Sequence, residues 1–149
     1  MQNKTKLLVL MFSIFSLNSG IALAHGGESK PSTNKLKLVM QGLLKDSHLL
    51  SEGIFYEDFS KIEKAAKNIA DHPNPGMQTM KKVIDHLGKD MPKFKGLDTK
   101  VHNTAISIMK AASKKNMSAV VANYHELIDG CQSCHSQFKK RVSKVLSTQ

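Results

Sequence analysis

Cys131-Gln132-Ser133-Cys134-His135, near the C-terminal end, constrains this chain more than any other stretch. Its two thiols and its imidazole stand at i, i+3 and i+4, a spacing that brings all three to one face of a helix. Apolar residues continue that face: Val120, Val121, Tyr124, Leu127 and Ile128 before the motif, Phe138 and Val142 after it. A helix over about Ser118–Val145 must then turn this face towards other elements. The chain holds no further cysteine, so no disulfide framework competes for the pair. A thioredoxin-like dithiol would open a helix after a strand, and no strand pattern precedes Cys131. A structural zinc site takes four ligands, and the remaining histidines show no paired Cys/His spacing. C-x-x-C-H is the attachment signature of a c-type haem. Cys131 and Cys134 can add to the two vinyl groups, and His135 can reach the iron as proximal ligand.

The N-terminus points to the compartment where such attachment takes place. Lys4 and Lys6 make a positive start, Leu7 to Leu17 is apolar, and Ala22-Leu23-Ala24 fits a small-x-small cleavage site. Residues 1–24 read as a cleaved secretory signal peptide. The apolar run is shorter than the roughly 20 residues that span a bilayer, so no stable membrane insertion is expected after cleavage. His25 becomes the first mature residue, and the periplasm the expected location. Residues 25–32 are polar and Gly-containing, a flexible tail. Residues 33–149 form one small domain.

The formal charge of +10 falls to +8 without the two leader lysines. Lysines supply nearly all of it, scattered among acids, and an exported chain meets little nucleic acid; none is expected as partner. A lysine-rich surface instead suits steering towards redox partner proteins with acidic docking surfaces.

The mature chain reads as all-α. Ser32 or Thr33 can cap a first helix, with Leu36, Val39, Met40, Leu43, Leu44 and Leu50 at helical spacing and Gly53 as its stop. Asp58 caps a second helix, striped by Phe59, Ile62, Ala65, Ala66 and Ile69 and ended by Pro73-Asn74-Pro75-Gly76. A short helix follows to about Leu87. Gly88–Gly96 reads as a Lys-rich connector, and Asp98 as the cap of a third long helix. Lys114-Lys115-Asn116 make the last turn. Four long helices on short links predict an antiparallel up-and-down four-helix bundle with covalently bound haem filling a core poor in aromatics.

The position of the haem motif, followed by Phe138-Lys139-Lys140-Arg141, together with helix order and length, resembles the cytochrome c′ family, the class II c-type cytochromes. The resemblance runs from about Lys35 to Val142. It implies one covalent haem c with iron, Cys131 and Cys134 as thioether cysteines, and His135 as fifth ligand. It also implies a distal residue on the first helix. A methionine there gives a six-coordinate, low-spin iron suited to electron transfer; a bulky aliphatic leaves a five-coordinate iron that binds NO or CO. Met40, on the inward stripe, is the leading distal ligand. Counting back from the turn near Gly53 puts the family's distal position nearer Leu36 or Lys37, so an open aliphatic site stays in play. His72 is the next candidate. Met77 and Met80 are weaker, and His48, His86, His102 and His125 read as surface or packing residues. Many relatives pair through their first two helices, which leaves a homodimer open.

The function expected is a periplasmic monohaem c-type cytochrome carrying single electrons. The alternative is a five-coordinate carrier or scavenger of NO or CO. An enzyme is not expected: no nucleophile elbow, phosphate loop or carboxylate pair appears.

Overall fold

The computed structural model describes residues 35–147. The signal peptide, the tail and the caps expected at Ser32 or Thr33 lie outside the described residues. Helix α1 spans Lys35–Phe55, α2 Phe59–Ala70, α3 Met77–Leu87, α4 Met91–Ser113, α5 Met117–Cys134 and α6 Lys140–Ser147. A 3₁₀ turn, Gly88–Asp90, precedes α4, and a π-helical turn, His135–Lys139, joins α5 to α6. The long helices α1, α2, α4 and α5 make the all-α, antiparallel four-helix bundle that the periodicity predicts.

Turn chemistry sets the up-and-down path. The Asp58 carboxylate accepts the Lys61 backbone N–H at 3.0 Å and so starts α2. The Asn116 side-chain oxygen does the same for Ala119 at 3.0 Å and starts α5. Each satisfies one of the donors that a helix N-terminus leaves orphaned. α1 packs on α2, α2 on α4 and α4 on α5, whereas α5 and α1 scarcely touch. Three seams of the bundle are thus closed by helix packing, and the fourth is left open.

The main core lies between the four long helices, with Leu50, Ile62, Ile108, Val120 and Leu127 fully buried. Their stripes recur at three- and four-residue intervals, as a one-sided helix requires. A second core sits beyond the end of α5. There Val83 and Leu87 of α3 pack with Phe138, Val142 and Leu146, flanked by Leu36 and Phe94. No described side chain that is polar or charged is buried.

Two element boundaries differ from the sequence reading. Gly53 does not stop α1, which runs on to Phe55. Gly53 is instead buried where α1 meets α2: a Cβ there would lie 2.9 Å from Ile62 Cγ1 and 3.0 Å from the Ile62 backbone nitrogen. The missing side chain lets two backbones approach, which is a packing role for glycine rather than a terminating one.

Gly88–Gly96 is not a connector, and Asp98 is not a cap. α4 already begins at Met91, with Pro92 in its first turn. Proline's fixed φ suits that position, and the N–H it lacks has no intrahelical acceptor there. Asp98 therefore stands inside α4, free to act on the site described below.

These packing roles are testable. Gly53→Ala should destabilise the protein by about 1–3 kcal/mol, as overpacking against backbone does. Gly42→Ala meets nothing within 4 Å and should stabilise α1 by up to about 1 kcal/mol. Denaturant unfolding of the two variants measures both. Equal effects would mean that the α1–α2 crossing relaxes freely.

Candidate haem site

The open α1–α5 seam holds a cavity of about 250 Å³. Met40, Leu43, Leu44 and Ser47 line it from α1, Leu97, Asp98 and Val101 from α4, and Ile128, Cys131 and Cys134 from α5. His135, the first residue of the π turn, and His72, between α2 and α3, complete the lining. Ser47 is already committed, its hydroxyl donating to the Leu43 carbonyl at 2.8 Å. The cavity is thus an apolar slot with its polar groups gathered on few residues.

Helix α5 is pressed onto α4 immediately before the motif. A Cβ on Gly130 would stand 2.9 Å from Val101 Cγ2. That close approach brings Cys131 to the cavity wall. Both cysteines are free thiols, half-buried. Burial pushes the Cys131 thiol up; burial, then the Asp98 charge and Cys131, do the same for Cys134. Reactive redox cysteines have depressed values in electropositive surroundings. The environment here is the opposite, which weighs against thiol–disulfide chemistry.

His72 is the one other imidazole in the lining. Its Nε2 lies 3.7 Å from Asp98 Oδ1, a long ion pair, and its Nδ1 lies 3.3 Å from the Pro73 carbonyl oxygen. Both neighbours are acceptors, so both ring nitrogens are best served by carrying protons. The Asp98 carboxylate is the main cause raising the His72 value above the ordinary 6.5; burial opposes it, and the Pro73 carbonyl adds to it.

The structure sorts the residues singled out by sequence. Cys131, Cys134, His135, Met40 and His72 come together on one cavity. Leu36 does not line it; it packs on the second core beside α3. Met77 is almost fully exposed, and Met80 lies outside the lining. His102 is held by its own contact, Nδ1 lying 2.9 Å from the Ala70 carbonyl oxygen across α2 and α4. His48, His86 and His125 are exposed away from the cavity. Sequence reading missed Asp98 as a cavity residue. Pro92 was the available signal: taken as the first turn of α4, it moves the helix start upstream and puts Asp98 in the interior.

A helical bundle with C-x-x-C-H on its last long helix and an apolar slot beside the motif defines a bundle-type haem protein. The family model for cytochrome c′ matches residues 33–139, and the chain belongs to that family. No curated protein and no solved structure matches the chain. Membership makes it a monohaem c-type cytochrome with haem c and iron. The residues present fit the group: two free thiols and an imidazole on one stretch of helix, apolar walls, and a seam where α1 and α5 scarcely touch.

The His72–Asp98 pair carries a pH signature. Because the folded value of His72 is raised, the pair's stabilisation is fully present below 6.5 and is lost as pH climbs through the raised value. The pair is partly exposed, so about 1 kcal/mol or less is expected. Unfolding free energies of the wild type and His72→Gln should therefore differ most on the acid side and converge on the alkaline side. A pH-independent difference would show that Asp98 does not hold the imidazolium.

Proposed function

We propose that this protein is an exported electron carrier in which Cys131 and Cys134 form thioethers to the haem, His135 is the proximal iron ligand and Met40 the distal one. When bound, the haem supplies an iron that cycles between Fe(II) and Fe(III). The observation that carries the reading is that Met40, on α1, and His135, at the end of α5, line the same cavity from different helices. The chain's own residues bind and shield. Leu43, Leu44, Val101 and Ile128 give the slot apolar walls against which the haem would pack, and burial there raises the cost of charge. A thioether prefers the reduced iron, so Met/His ligation raises the potential.

The periplasm is the compartment, by way of the 1–24 signal peptide. None of the helices among the described residues is long and apolar enough to cross a membrane. The lysine-rich surface favours brief encounters with acidic redox proteins, faster on-rates without long-lived complexes. No substrate is transformed in this reading. A homodimer is its open oligomeric option, and sedimentation of the holoprotein decides it.

A second reading keeps a specific observation. Met40 is 39% exposed and shares its wall with the aliphatic Leu43 and Leu44. If its sulfur stays off the iron, the distal face is an open apolar pocket suited to NO or CO.

Two measurements test these assignments. Intact mass of protein from the periplasm should correspond to a chain starting at His25 plus one haem. A bare chain with free Cys131 and Cys134 would remove the basis of the proposal. In optical spectra, the oxidised wild type should be low-spin with a sulfur-to-iron band in the red. Met40→Leu should abolish that band, open the iron to CO, and lower the midpoint potential by a fraction of the roughly 0.8 V that axial ligands span. A wild type already high-spin and CO-reactive makes Met40 a packing residue and puts the gas-binding reading first.

A further inference from the structure

The apolar stripe of the last helix changes direction at the haem motif. In an uninterrupted α-helix, Cys131, Cys134, His135, Phe138 and Val142 share one face. The structure separates them. Cys131, Cys134 and His135 line the cavity, whereas Phe138, Val142 and Leu146 do not; they pack against Val83 and Leu87 of α3. The cause is the π turn at His135–Lys139. A π turn spends one extra residue, so everything after it lags by about one residue, roughly 100° on an α-helix.

Side chains support the register change. The Ser133 carbonyl accepts from Gln137 Nε2 at 2.8 Å and from Ser136 Oγ at 3.2 Å, the kind of side-chain bond that accompanies a break in the i→i−4 ladder. The second half of the turn is clamped, and so is Arg141 just beyond it. Phe138 is 2% exposed and meets Phe94 of α4 edge-on, with ring centroids 5.4 Å apart. Arg141 lies over the Phe138 ring at 5.7 Å and pairs with Asp90, just before α4, at 2.9 Å. Phe138 also packs in the one cluster that Cys134 flanks. His135, the first residue of the turn, is itself exposed, so it is held less firmly by its own surroundings than Phe138 is.

We propose that Phe138 is the positioning residue for His135. Wedged between α3 and Phe94, it locks the π turn and thereby fixes the direction in which His135 presents its imidazole to the haem iron. The inference rests on the proximal role given to His135 above. The orientation of an axial imidazole and its hydrogen bonding are levers on a haem potential, so a ring three residues along the chain tunes the iron without touching it.

The test uses holoprotein with three substitutions: Phe138→Leu, Phe94→Leu and Leu146→Ala. Leu146 belongs to the same core but lies well past the turn. Melting temperature and midpoint potential are read for each, and the iron–imidazole stretch is read in resonance Raman spectra of the reduced protein with each substitution placed on Met40→Leu, in which the iron is five-coordinate. Phe138→Leu and Phe94→Leu should shift both the potential and the iron–imidazole stretch. Leu146→Ala should lower the melting temperature and leave both unmoved. If Phe138→Leu does not fold, Phe94→Leu carries the test, since it removes the same ring contact from the partner's side. Lowered melting temperatures with an unchanged stretch and potential in both Phe variants would overturn the inference and leave the proximal assignment intact. A wild type without covalent haem, or a reduced Met40→Leu protein with no iron–imidazole stretch, would overturn the proximal assignment, and the inference with it.

Discussion

Helix α5 must lie against α4 and stand away from α1. Everything else in the molecule is arranged around that requirement. Gly130 lets α5 approach Val101 closely, while α1 and α5 scarcely meet. A bundle of four apolar stripes ordinarily closes all its seams to keep water from its core. Here one seam remains an apolar slot. The cysteine pair and His135 stand on one edge of that slot and Met40 on another. A flat apolar cofactor is the kind of group that completes such a core, and membership of the cytochrome c′ family implies haem c with iron.

Electrostatics inside the slot is spare. Among the described residues no polar or charged side chain is buried, and the His72–Asp98 pair is the principal charged feature of the lining. That pair is neutral in sum when His72 is protonated. It places a carboxylate near Cys134 and a cation beside it. The lysine excess is carried outside the core. A cationic surface thus surrounds a nearly neutral apolar cavity, and the two set different things: the surface the long-range field, the interior the local cost of charge.

The fold was largely legible because helices announce themselves by period. The stripes through Ile62, Ala65, Ala66 and Ile69, and through Val120, Leu127 and Cys131, lie where spacing puts them. Asp58 is a cap because its carboxylate can reach a backbone N–H three residues on, a local matter. The misreadings concern residues whose roles are not local. Gly53 looks like a helix stop, yet what decides it is Ile62 on a neighbouring helix. Asp98 looks like a cap, yet Pro92 has already opened α4. The π turn was not read from the sequence; it falls where the chain passes from the cavity, lined by His135, to the second core, which holds Phe138.

The amino-acid sequence alone determined that this chain is helical and that the end of its last long helix carries a C-x-x-C-H triad with one-face spacing. Period, capping and the Cys131–His135 spacing act within a turn or two of helix, so they can be read without a partner. The tertiary structure decided which residues face that triad. It put Met40 and His72 on the cavity and sent Leu36 to the second core. Helix rotation and crossing are set by contacts between residues distant in sequence, such as Gly130 with Val101 and Phe94 with Phe138. Side-chain fit across a bundle is a property of the pair, and neither helix alone contains it.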